Sequence, residues 1–184
     1  MQKLITKLRK TEGLIVGEET RDNETWGACF SSEERQGYFK YRYSLWRLWG
    51  KANNVAVGIF LNPSIATHEA NDHTARKFSN WAKKKGYSGI FILNVFGVRG
   101  KDPKVIKEVS DPVGRMNNTV IKMHLDFLAG IFVAGWGNDG RINNRSTAVR
   151  RIIGKSGTCY CFCKNKNGEP SHPAYKSLKK LVKL

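Results

Sequence analysis

The run 54-NVAVGIFL-61 decides how this chain of 184 residues is read. It is apolar at odd and even positions alike, so as a strand it has no solvated face and must be covered on both sides. It stops abruptly at Asn62-Pro63-Ser64 and a polar loop carrying His68, Asn71, Asp72 and His73. Outward from it the same rhythm recurs. The segment 73-HTARKFSNWAKKKGY-87 has helical spacing at Ala75, Phe78 and Ala82 and a stop at Gly86. A second doubly apolar strand follows at 89-GIFILNVF-96, and two helices are predicted to open on Asp102-Pro103 and Asp111-Pro112, aspartate as cap and proline in the first turn. A third strand, 130-GIFVAGWG-137, a helix over 143–157, a fourth strand over 157–163 and a last helix over about 173–183 complete the pattern.

Strands apolar on both faces and alternating with helices predict an α/β fold, a three-layer α/β/α sandwich around a central, mostly parallel four-stranded sheet. The aromatic, partly alternating stretch 26–50 reads as a β-hairpin or pair of edge strands, and residues 1–10 as a short basic helix. The chain is thus expected to form one domain over 1–184, with an N-terminal β-rich extension over 1–50 and an α/β core over 51–184.

Thirty-two Lys and Arg against fifteen Asp and Glu give a net charge of +17. A field of that size attracts polyanions, and the basic residues run throughout the chain, which favours nucleic acid as a partner. No apolar run reaches the roughly 18 residues of a membrane span, and the N-terminus lacks the features of a secretory signal. A cytoplasmic monomer with no membrane partner is expected. Cys159, Cys161 and Cys163 alternate on one strand face, without the paired Cys-x-x-Cys spacing of a metal site. With Cys29 they read as structural thiols; no metal and no cofactor is called for.

Ligands of open parallel sheets bind beyond the carboxyl ends of the strands. Those ends carry Asn62-Pro63-Ser64, then Asn94, Phe96 and Arg99, then Trp136-Gly137, then Ser171-His172-Pro173. Each alone also fits a turn, a packing residue or a helix start; a polar residue at every strand end does not reduce to packing.

This ordered set resembles the uracil-DNA glycosylase superfamily, and most closely a bacterial and phage family of formerly uncharacterised domains with that architecture. The close resemblance is carried by YRYSLWRLWG (41–50), GIFLNPSIATHEANDHTARKF (58–78), GYSGIFILNVFGVRGKDP (86–103), DPVG (111–114), AGWGNDGR (134–141) and GEPSHPAYKSL (168–178). It implies that Asn62 positions the attacking water, that Asn94 reads the base, that His172 bonds a base carbonyl and that Trp136-Gly137 is scaffold. Asp72 is the alternative acid for the water. The superfamily's Pro-Tyr-His becomes Pro63-Ser64-Ile65, which removes the ring that walls off the pyrimidine 5-position.

The expected activity is therefore monofunctional DNA glycosylase chemistry on a flipped, 5-modified pyrimidine such as hydroxymethylated or glucosylated cytosine, in duplex or single-stranded DNA, with a role in anti-phage defence. Asn94, Ser64, Pro63 and Phe96 would line the base. Arg99, Lys101, Arg141, Arg145 and Lys176, with the lysines 83–85 and Arg150 and Arg151, are candidate phosphate contacts, and Tyr175 a candidate wedge. A non-catalytic nucleic-acid-binding module on the same fold is the competing expectation. A nucleotide-processing enzyme fits the +17 charge less well.

Overall fold

In a computed structural model describing residues 1–35, 37–50, 54–154 and 158–184, the chain opens with helix α1 (Gln2–Arg9). Strands β1 (Leu14–Arg21), β2 (Glu24–Ser31), the short β3 (Glu34–Arg35) and β4 (Tyr38–Phe39), and β5 (Arg42–Leu48) follow. The second half runs β6 (Val55–Phe60), α2 (His73–Lys84), β7 (Gly89–Asn94), α3 (Val105–Glu108), α4 (Asn117–Phe127), β8 (Gly130–Gly135), α5 (Arg145–Gly154), β9 (Cys159–Cys161) and β10 (Val182–Lys183). Short 3-10 segments cover Asn138–Asn144 and Pro173–Tyr175. Residues 155–157, at the end of the expected fifth helix, lie outside the described residues.

The four-stranded, mostly parallel sheet expected from the sequence is corrected: β1, β2, β5, β7, β6, β8, β9 and β10 lie in that order in one eight-stranded mixed sheet. β7, β6, β8 and β9 pair in parallel, while β1–β2, β2–β5, β5–β7 and β9–β10 pair antiparallel. The segment 1–50 is therefore no appendage. An unpaired strand edge leaves a row of backbone donors and acceptors without partners, and β5, buried at every residue, closes the edge of β7. β1, unread in the sequence, pairs along its whole length with β2.

The C-terminal helix is corrected for the same reason. After one 3-10 turn the backbone at Lys176 is extended, and the tail pairs as β10 with β9 through Val182↔Cys161 and Lys183↔Tyr160. Nor do the Asp-Pro pairs cap helices. Asp111 Oδ1 accepts from Val113 and Gly114 N–H in a turn, Asp102 Oδ1 from Lys104 N–H, and α3 and α4 begin later.

The doubly apolar reading of 54–61 has a direct counterpart in the packing. Val55, Val57, Ile59 and Leu61 join one core with α1, α4 and α5; Ala56 and Phe60 join a second core beneath α2. Gly58 lets α2 approach closely, since a Cβ there would stand 3.0 Å from the Phe78 ring of α2 and 2.5 Å from the Phe60 ring. Gly27 is tighter still, its Cβ position falling 2.0 Å from the Trp46 indole.

In the first core His124 is fully buried, its Nδ1–H donating to Val120 O at 2.8 Å and its Nε2 accepting from Ser44 Oγ at 2.8 Å. Burial pushes its pKa from 6.5 down to about 4, against the smaller upward effect of the Val120 bond. Its neutral form is thus what the fold holds, so its contribution is complete above pH 6.5 and lost as pH falls toward 4. Urea unfolding should show a loss of about 3 kcal/mol from this group over that window, with a shallower decline in His124→Gln. Equal slopes in the two proteins would exclude His124 as the source.

Candidate active site

The parallel register sets the carboxyl ends of the central strands level: Phe60 of β6 lies opposite Asn94 of β7 on one side and Gly135 of β8 on the other. A cleft of about 390 Å³ opens above them. It brings together Asn62, Ser64, Asp72, Asn94, Trp136 and His172 from separate strand ends.

Asn62 is half-buried, and its Nδ2 donates to Gly100 O at 3.1 Å and Pro63 O at 3.3 Å. With the nitrogen so occupied, Oδ1 is the acceptor left for a ligand or water. Asn94 is 2% exposed, and its Nδ2 is buried without a hydrogen-bond partner among the described residues. An unpartnered buried donor costs about 1–3 kcal/mol, which a ligand carbonyl in the cleft would recover. Its backbone oxygen is held by Asn117 Nδ2 at 3.2 Å.

His172 accepts the Ala174 N–H at its Nδ1, 3.3 Å away. Burial pushes its pKa down to about 4; Asp72 opposes and Lys77 adds to the shift. The ring is therefore neutral near pH 7 with its proton on Nε2, a donor fixed in direction by the backbone cap. Phe60 packs against it, ring centres 5.9 Å apart. Asp72 caps α2, its Oδ1 accepting from Ala75 N–H at 2.8 Å; that carboxylate is already engaged by the helix start. Arg76 makes no ion pair with it. Gly137, at φ 69° and ψ −171°, takes a turn open only to glycine and brings its N–H to Pro170 O at 2.8 Å.

Several expected site residues stand elsewhere. Phe96 is fully buried in the first core and does not line the cleft, because the alternation of β7 that places Asn94 there is not kept beyond Val95. The aromatic wall is Phe60 instead. Pro63 is buried and serves through its carbonyl, which accepts from Gly100 N–H. Arg99 and Arg145 are not surface phosphate contacts: Arg99, 9% exposed, donates to Phe39 O and lies over the Phe30 ring, and Arg145, 5% exposed, donates to Val95 O. Lys101, Tyr175 and Lys176 do line the cleft mouth, Tyr175 at 85% exposure, and Arg141 is exposed outside it.

The sequence reading passed over two arginines of β5. Arg42, in the cleft wall, is 2% exposed and donates to Ala66 O at 2.6 Å. Arg47, 1% exposed, donates to Thr67 O at 2.6 Å, Ala70 O at 3.1 Å, Asn71 Oδ1 at 2.9 Å and Trp46 O at 2.7 Å. Both grip the loop that leads from Asn62 to Asp72. A register shift at Cys29/Phe30 puts Arg42 on the same side of the sheet as Arg47. Burial pulls their pKa values down, to about 10 for Arg42 and about 9 for Arg47, which leaves both charged at neutral pH. Charged residues inside an aromatic strand were the available signal. Glu169, 8% exposed, was also unread; it accepts from Trp136 Nε1 at 2.6 Å, Ser146 Oγ at 3.0 Å and Arg150 Nη2 at 3.2 Å, fixing the third strand end to the loop that carries His172.

Lysine keeps the charge at position 47 but cannot span four acceptors. Arg47→Lys should therefore lower stability by about 2–4 kcal/mol and speed amide hydrogen exchange in residues 66–72 ahead of the rest of the sheet. Unchanged exchange there would show that the loop holds itself.

Among the described residues no helix is long and apolar enough to cross a membrane. Compared with known proteins, the chain matches no curated protein and no solved structure. A family model described as a protein of unknown function, DUF1643, matches residues 42–174, from the first buried arginine to the 3-10 turn after His172, and the chain belongs to that family.

Proposed function

We propose that the protein is a monofunctional DNA glycosylase that hydrolyses the N-glycosidic bond of a flipped, 5-modified pyrimidine. The observation that carries this is the unpartnered Asn94 Nδ2, buried at the wall of a cleft that also presents the neutral His172 Nε2–H and the free Asn62 Oδ1. A cytosine edge offers O2 and N3 as acceptors to the two donors. Asn62 Oδ1 would hold water on the sugar side.

In the reaction, water adds its oxygen to C1′ as the C1′–N bond breaks, and the base departs with the bonding pair and takes up a proton. His172 and Asn94 stabilise the negative charge that develops on O2 and N3 of the departing base. The amide of Asn62 orients water but is a poor base, so turnover is expected to be slow. Ser64 leaves the 5-position unwalled, which suits hydroxymethylated or glucosylated cytosine and a role in defence against phage DNA. The +17 charge supports DNA as the polymer that delivers the base.

DNAs carrying cytosine, uracil, mismatched thymine, hydroxymethylcytosine and glucosylated hydroxymethylcytosine, treated with alkali after incubation, should reveal strand scission at a 5-modified base. Asn62→Ala should abolish it and His172→Gln reduce it about 10²–10³-fold, with DNA binding kept. Tight binding without scission on any of these would favour a non-catalytic nucleic-acid-binding module. Scission that survives Asn62→Ala but not Asp72→Asn would move the water to Asp72.

The tautomer of His172 sets the pH dependence. Protonation would place hydrogen on Nδ1 against the Ala174 N–H, so kcat/KM should stay level from pH 8 to about 5 and fall through about 4. A fall already complete near pH 6.5 would mean that the ring titrates freely.

A further inference from the structure

Among the described residues α2 is the one long helix packed on its face of the sheet; α1, α4 and α5 cover the other. One flank of α2 is bordered by the C-terminal segment after His172, the other by Glu24 and Trp49, which Lys83 meets. Between α2 and the C-terminal segment runs a second groove, lined by Lys77, Trp81, Lys84, Lys85, Lys176 and Lys179. It meets the first cleft at Ala174, Tyr175 and Lys176, which line both. No carboxylate lines it and none of its five lysines forms an ion pair among the described residues, whereas the neighbouring Lys83 is paired with Glu24 at 2.6 Å. Trp81, 6% exposed, also lines it; its ring is stacked on Phe78 and Tyr87, and its Nε1–H is buried without a partner among the described residues. Tyr175 stands 85% exposed where groove and cleft join.

Lysines without carboxylate partners on both sides of the groove, with the exposed Tyr175 ring at its end and an unmet indole donor, fit a chain of phosphates joined to bases, one of which can stack on that ring. We propose that this groove is a track for a single DNA strand, the one whose base enters the cleft, running along α2 past Tyr175. The route past Tyr175 rests on the base-pocket reading of the cleft; the groove's affinity for a single strand does not. One strand suits the feature better than a duplex, because the lysines line a single groove with an aromatic side chain within it rather than two phosphate rows flanking a flat face.

Fluorescence anisotropy with a labelled oligothymidine, and with a hairpin duplex of equal length, tests this across a salt series. Each lysine engaged by a single strand contributes about 0.7 to the slope of log affinity on log salt. The triple variant Lys84→Gln/Lys85→Gln/Lys179→Gln should lower that slope by about 2 and weaken oligothymidine binding roughly 10- to 100-fold at 0.1 M salt. The control Lys3→Gln/Lys7→Gln/Lys10→Gln, on exposed positions of α1 and its C-cap, removes equal charge and should leave binding near wild type. Equal losses in both triples, or tighter binding of the hairpin than of the single strand, would overturn the track. Base release is scored separately on single strands bearing the modified base. Groove-dependent binding without release sinks the base pocket and keeps the track; release with no dependence on the three lysines does the reverse.

Discussion

The guanidinium of Arg47 is the contact on which the cleft depends. It sits 1% exposed in a strand that joins the parallel core only by antiparallel pairing, and it reaches across to hold Thr67, Ala70 and Asn71. Its charge is stacked over Trp26, 4.2 Å from the ring centre. A cation buried so deeply is tolerated only when its donors are met, and here the acceptors are the carbonyls of the loop between Asn62 and Asp72. The N-terminal strands thus supply the clamp that shapes the rim of the cleft. Arg42 holds the same loop one step nearer the cleft through Ala66 O, while its Nε is buried without a partner among the described residues.

Around that clamp the remaining strand ends are pinned by separate means. Asn62 is tied to Gly100, Arg145 to Val95, and Trp136 to Glu169, which also takes Ser146 and Arg150. Such satisfied networks restrict the rim to one arrangement. Against this background Asn94 Nδ2, like Arg42 Nε in the same cleft wall, is buried without a partner among the described residues, a donor left open in the bonding pattern rather than a loose surface amide. Preorganised donors of this kind are worth most where water is displaced by the ligand.

Much of the scaffold was legible because its signals are local. Doubly apolar runs at 54–61 and 89–96 can be nothing but interior strands, and the spacing of Ala75, Phe78 and Ala82 marks the buried stripe of α2. The rim residues Asn62, Asn94, Trp136 and His172 were legible because parallel strands place their carboxyl ends together. Phe96, Arg99 and Arg145 were misread because side-chain direction past a strand end follows tertiary packing, and because a basic residue in sequence carries no sign of burial.

What the sequence determined by itself was the set of central strands, the positions of their polar ends and the large positive charge, since periodicity and residue type suffice for those. Only the tertiary structure decided that the first fifty residues complete the sheet, that the basic tail forms an edge strand, and that two arginines clamp the loop of the cleft. Strand pairing links residues far apart in the chain, and the choice rests on which open edge a segment can close and which buried charge can find acceptors; neither is written in any local stretch.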